Sequence, residues 1–164
     1  MIGPPNARHA VSLQQAAPRS IAAVHARLSR LDVPRVFAHY LDQVYAAARG
    51  GSVQLDGQNV FIYRDVHDRP DQADVSFGVG VKAPFEPIAN VLPTTVPGGY
   101  VATATHWGSY ARLGAAHQAV LDWCRMHGHR LAGSRWEVYG HWTEDEAKLR
   151  TDVYYLLASP TSAV

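Results

Sequence analysis

The chain has 164 residues, with 15 Lys and Arg against 14 Asp and Glu; 47% is hydrophobic and 18% charged. That length suits one globular domain or two fused half-size units, and the apolar content excludes a chain disordered throughout. A formal net charge of +1 lacks the basic excess of a nucleic-acid protein, and a single cysteine, Cys124, excludes an intrachain disulfide or a cysteine-ligated zinc cluster.

Residues 1–17 read as a flexible leader without the apolar core of a signal peptide, and no run approaches the ~20 apolar residues of a membrane span. A soluble, cytoplasmic protein is expected, with no membrane association and no direct DNA binding by this chain. Ser20 to Ser29 then reads as a strand. Pro34 to about Arg49 reads as a helix, with Val36, Phe37, Tyr40, Leu41 and Val44 on one stripe and Gly50-Gly51 as its stop. Two strands follow, Asn59 to Arg64 and Asp74 to Lys82. The same order then returns: strand Tyr100 to His106, helix Tyr110 to about His127, and strands Trp136 to Trp142 and Thr151 to Ala158. Tyr63 recurs as Tyr139, and Asp74-Val75 as Asp152-Val153. This predicts an α+β fold of duplicated βαββ units, related by a pseudo-two-fold axis, with a ligand cleft between them. The first repeat spans about 18–84 and the second about 96–159, within a single domain 18–159 followed by a tail 160–164.

Side chains alternate across a strand, so parity assigns faces. Val60, Ile62, Trp136, Val138, Gly140 and Trp142 share one parity and are expected to face the helices. The other carries Phe61, Tyr63, Glu137, Tyr139 and His141, an aromatic face with one carboxylate. In the last strand of each unit, Val75, Phe77, Val79, Val153, Tyr155 and Leu157 form the core parity. Opposite them lie Ser76, Gly78 and Gly80 in one unit, Tyr154 and Leu156 in the other, and the glycines are read as room for a ligand. Ring faces attract a cation by ~0.5–2 kcal/mol each and a carboxylate supplies counter-charge, so such a cleft suits a bulky apolar cation. The competing readings are aromatics that are ordinary core and a Glu137 that is exposed on an edge strand.

Nine histidines invite a metal hypothesis, but neither HExxH nor a three-ligand spacing occurs, and no cofactor or metal is expected. His117, on the second helix's apolar stripe, reads as a packed histidine and Cys124 as packing. A G-x-S-x-G elbow is absent, Gly78-Val79-Gly80 sits within a strand, and Glu144-Asp145-Glu146 reads as a solvated loop.

The ordered set Pro97-Gly98-Gly99-Tyr100-Val101-Ala102, His106-Trp107-Gly108-Ser109-Tyr110, Leu113, Trp123, Gly128, Glu137-Val138-Tyr139 and Asp152-Val153-Tyr154 resembles the GyrI-like small-molecule-binding domain. That domain is also the effector-binding part of AraC- and MerR-type multidrug-responsive regulators. The resemblance implies tandem βαββ units, with Glu137 as the glutamate that contacts lipophilic cations. It maps a cleft wall onto Phe61, Tyr63, Tyr139, Tyr154 and Tyr110, with Trp107, Phe37 and Tyr40 as further candidates. The regulators place a helix-turn-helix before this domain, and only residues 1–17 precede the first expected strand, so a stand-alone form is expected. The expected function is binding or sequestration of bulky, lipophilic, often cationic aromatic molecules. One alternative implied by the resemblance is a hydrolase of reactive cyclopropane-bearing genotoxins, with Glu137 and Tyr139 catalytic and Tyr110 as a possible hydrogen-bond donor. In that reading burial raises the Glu137 pKa. Further alternatives are a gyrase-inhibitor-like interaction protein, its protein partner unnamed, and a tetrapyrrole binder, for which no axial ligand stands out. Arg over Lys and abundant Ala suggest a bacterial source.

Overall fold

The computed structural model describes residues 9–158. Eight strands form one antiparallel sheet: β1 (Ser12–Ala16), β2 (Arg19–Ser29), β3 (Leu55–Asp65), β4 (Gln72–Val81), β5 (Leu92–Val96), β6 (Gly99–Trp107), β7 (Leu131–Tyr139) and β8 (Arg150–Leu157). The helices are α1 (Val33–Arg49), between β2 and β3, and α2 (Leu113–Met126), between β6 and β7. The sheet order is β1-β6-β8-β7-β3-β4-β2-β5. Read inward from either end, it runs outer strand, strand before the helix, last strand, strand after the helix. The element order of the two halves matches the expected βαββ pattern. Each half gains an outer strand that precedes the other half's first strand in the chain.

Local chemistry sets the helix ends. Ser29 and Ser109 cap the 3-10 turns that lead into the helices by accepting the Leu31 and Ala111 amides, and Pro34 sits in the first turn of α1. Gly128, at φ 71°, follows α2 and takes the left-handed backbone that ends a helix without Cβ strain. Val33, Leu41 and Val44 of α1 pack on β2 and β4, while Leu113, Ala116, Val120 and Cys124 of α2 pack on β6 and β8. The helices therefore lean on the two outer portions of the sheet. β3 and β7, paired at its centre, form the floor of a gap between them.

Three sequence expectations change. Ser12–Ala16, read as leader, is β1 and pairs with β6; residues 1–8 and the tail 160–164 lie outside the described residues. Leu92–Val96, read as linker, is β5 on the edge beside β2. The helix-facing parity of β3 and β7 is the aromatic one. Phe61 and Tyr63 join the cluster under α1, whereas Val60, Ile62 and Trp136 pack with Ile21, Ala23 and Val101 on the face without helices. Gly78 lies on that second face, where a Cβ would meet Ile21 Cδ1 at 2.6 Å, so Ile21 fills the room assigned to a ligand. Among the described residues, no helix is long and apolar enough to cross a membrane, and no three His, Cys, Asp or Glu side chains are placed to hold a metal.

Candidate functional site

Glu137 sits on β7, an inner strand, with β3 on one side and β8 on the other. It is 6% exposed, and Phe61 of β3 is its direct cross-strand neighbour. Two donors meet on its carboxylate. His117 Nε2 lies 2.7 Å from Oε2 and the Tyr139 hydroxyl donates to Oε1 at 2.7 Å, with the Tyr63 phenol as a further electrostatic neighbour. A carboxylate only accepts, so Nε2 carries the proton. In the neutral imidazole Nδ1 then accepts the Tyr155 hydroxyl at 2.7 Å.

Burial pushes the Glu137 carboxyl up, but the hydrogen bonds from His117 and Tyr139, the His117 interaction and the Tyr63 phenol outweigh it. The net position is below the usual carboxylate range, against the raised value expected from sequence. Burial and the neighbouring Glu137 charge hold the Tyr139 and Tyr63 phenols high, and burial pushes Tyr155 up to about 12. Glu137 is thus an ionised carboxylate near neutrality, surrounded by hydroxyls that keep their protons.

The gap over β3 and β7 opens into two lobes that share Glu137, Tyr63, Arg30 and Pro34. One is an apolar cavity of about 260 Å³, walled by Phe37 and Leu41 of α1, Phe61 and Tyr139 of the floor, and Tyr110 and Leu113 at the start of α2. Its rings meet edge-on: Phe61–Tyr139 centroids are 5.0 Å apart and Tyr110–Tyr139 5.7 Å. The other is a polar lobe of about 770 Å³, bordered by His117, Tyr155, Asp65 and Arg135.

Of the residues expected from sequence, Glu137, Phe61, Tyr63, Tyr139, Tyr110 and Phe37 meet around the apolar lobe. Tyr40 lies beneath it, stacked on Phe77 at 4.8 Å. Tyr154 is not in the cleft: its parity puts it on the face without helices, stacked on Trp136 at 5.6 Å. Trp107 lies away from both lobes, 60% exposed, with Arg150 over its ring. The edge-strand reading of Glu137 gives way, because β7 is an inner strand and the side chain is buried. His117 is the main residue the sequence reading missed. The available signal was a buried glutamate in need of a partner, together with a histidine on the inward stripe of α2.

Among known structures, the fold matches the EcmrR C-terminal domain at TM-score 0.74 and 17% identity, covering 92% of this chain and 98% of that one. Against EcmrR in its DNA complex, this chain spans 57% of the longer protein, at TM-score 0.75 and 16% identity. SAV2435 bound to tetraphenylphosphonium matches at TM-score 0.67 and 11% identity, over 92% of this chain and 94% of that one. A hydrolase from Listeria innocua matches at 0.58 and 11%, over 90% and 91%. At such identities these likenesses establish the fold. No curated protein matches the chain significantly in sequence. The family model of the GyrI-like small molecule binding domain matches residues 9–157, nearly all of the described chain, and the protein belongs to that family.

Proposed function

We propose that the protein binds bulky lipophilic aromatic cations in the apolar lobe, with Glu137 as counter-charge. The observation that carries this reading is a buried, ionised carboxylate set into the wall of an aromatic cavity. A cation that packs on the faces of Phe61, Tyr139 or Tyr110 meets the negative side of the ring quadrupole and one full negative charge at Glu137. Stacking and one charge discriminate little between molecules of similar size, so selectivity is broad. The fold's occurrence in SAV2435 bound to tetraphenylphosphonium supports the ligand class.

A hydrolytic reading has its own support in the Tyr155–His117–Glu137–Tyr139 hydrogen-bond chain and in the hydrolase that shares the fold. The donors that hold the Glu137 carboxyl low make it a weaker base and no acid at neutral pH, which favours binding over proton transfer. Calorimetric titration with tetraphenylphosphonium and neutral triphenylphosphine oxide tests the proposal. Glu137→Gln is expected to weaken the cation ~10-fold or more and the neutral compound less than ~2-fold. Equal loss for both removes the charge role of Glu137.

A further inference from the structure

The polar lobe holds two guanidiniums with too few partners. Arg135, on β7 two residues before Glu137 and on the same face, has a side chain only 14% exposed. Its nearest charge partner is Asp65 Oδ1 at 3.6 Å, beyond hydrogen-bond reach, and its guanidinium lies 5.0 Å from the centre of the Tyr63 ring. Arg30, in the turn before α1, donates to the same Asp65 oxygen at 3.1 Å. Each guanidinium carries five N–H donors in a planar fork, and one half-exposed carboxylate serves both. The remaining N–H donors of Arg135 are therefore left to the polar lobe that it borders. Stacking on Tyr63 holds the guanidinium beside that lobe. Glu137, which borders both lobes, already accepts from His117 and Tyr139.

The site as a whole is therefore a dipole, with negative charge at Glu137 and an excess of positive donors at Arg30 and Arg135. Tyr63 borders both lobes, its ring under Arg135. We propose that the polar lobe is a second subsite for a carboxylate, and that the preferred ligands are zwitterions whose aromatic cation fills the apolar lobe while their carboxylate takes the Arg30–Arg135 pair. This deepens, and rests on, the cation-binding reading above. Two residues along one strand separate Arg135 from Glu137, which sets the distance between the ligand's charges on the order of 6–7 Å.

Calorimetric titration of the full chain with (3-carboxypropyl)triphenylphosphonium and with butyltriphenylphosphonium tests this, because the two share a cation and a chain length and differ in the carboxylate. The carboxylate compound is expected to bind the wild type ~10-fold more tightly, the scale of one charge-assisted fork. Arg30→Gln, on the more exposed arginine, is expected to remove part of that advantage. Adding Arg135→Gln removes the rest, whereas butyltriphenylphosphonium, which has no carboxylate, is not weakened by either change and gains where Arg30 leaves the wall shared with the apolar lobe. Thermal melts of each variant establish that it is folded. Equal wild-type affinity for the two compounds, or an advantage that survives in the folded double variant, overturns the second subsite and leaves the cation site standing. Binding of neither compound by the wild type overturns both.

Discussion

Removing the His117 imidazole perturbs the site at one atom pair, Nε2 to Glu137 Oε2 at 2.7 Å, between side chains 18% and 8% exposed. A hydrogen bond to a charged group contributes about 1.5–3 kcal/mol, and stripping a buried charge of all compensation costs about 3–5 kcal/mol. Glu137 keeps the Tyr139 hydroxyl as donor in His117→Ala, so the lower range applies. Losing the Tyr155 bond adds about 1 kcal/mol. His117→Ala is thus expected to cost about 2–4 kcal/mol. In a Glu137→Gln background the amide carries no charge to strand, and the same change should cost about 1–2 kcal/mol less. The coupling is read from urea unfolding of the four proteins at pH 7, with the denaturant slope held constant across the cycle. Glu137 also fixes the sign of the acid limb. Its folded pKa lies below the ordinary 4.5, so its contribution is present above 4.5 and is lost as pH falls through the folded value. Glu137→Gln should lose less stability than wild type in that window. Additivity within about 0.5 kcal/mol would refute the charge-assisted hydrogen bond between His117 and Glu137.

Two further predictions concern the face without helices. Gly78→Ala places a Cβ 2.6 Å from Ile21 Cδ1 and 3.1 Å from the Ala22 carbonyl, an overpacking expected to cost about 1–3 kcal/mol in chemical denaturation. Ile21→Val removes Cδ1 and should restore part of that loss in the double variant; no rescue would place the strain in the backbone instead. On the same face, Arg64 donates to Ser76 Oγ at 2.9 Å, Ser76 contacts His25 Nδ1 at 2.7 Å, and His25 Nε2 contacts Thr94 on β5 at 3.1 Å. Burial, followed by the Arg64 charge, lowers the His25 pKa below 6.5, so its contribution holds above pH 6.5 and fades as pH drops through the folded value. Melting temperatures across that range should fall more for wild type than for His25→Gln; parallel curves would exclude His25 as the titrating group.

The helices and six of the strands follow from periodicity, and parity puts Glu137 on one face with Phe61, Tyr63 and Tyr139. The two outer strands do not, for a physical reason. Ser12–Ala16 is almost wholly exposed, and Leu92–Val96 carries Pro93, as an edge strand can, so neither shows the alternation of a half-buried strand. Parity grouped Phe61 with Tyr63 and Val60 with Ile62, but both groups are buried. Alternation reveals which residues share a face and not which face meets the helices, and aliphatic side chains are no better a guide to that than rings. Tyr154 enters the expected cleft wall through the family resemblance, and its parity puts it on the opposite face. His117 escaped because its partner lies on β7, and a helical stripe carries no record of which strand it crosses.

The two halves place unlike chemistry at like positions. Phe37 and His117 are each the fifth residue of their helix. Phe61 and Glu137 are each seventh in their strand, and Phe77 and Tyr155 each sixth. The first half thus carries Phe61 between Phe37 and Phe77, with centroids 6.0 and 5.1 Å away, where the second carries a hydrogen-bonded His, Glu and Tyr. The same positions support a wholly apolar cluster, so the polar set is not required by the fold. Replacing a buried ionic group with packed apolar residues is often neutral or stabilising. The variant His117→Phe, Glu137→Phe and Tyr155→Phe is therefore expected to fold with stability within about 2 kcal/mol of wild type, the adjoining lobes absorbing the added volume. It should retain neutral triphenylphosphine oxide and lose tetraphenylphosphonium. Unfolding of the triple variant would show that the polar cluster holds the two halves together, and full retention of the cation would show that ring stacking alone binds it.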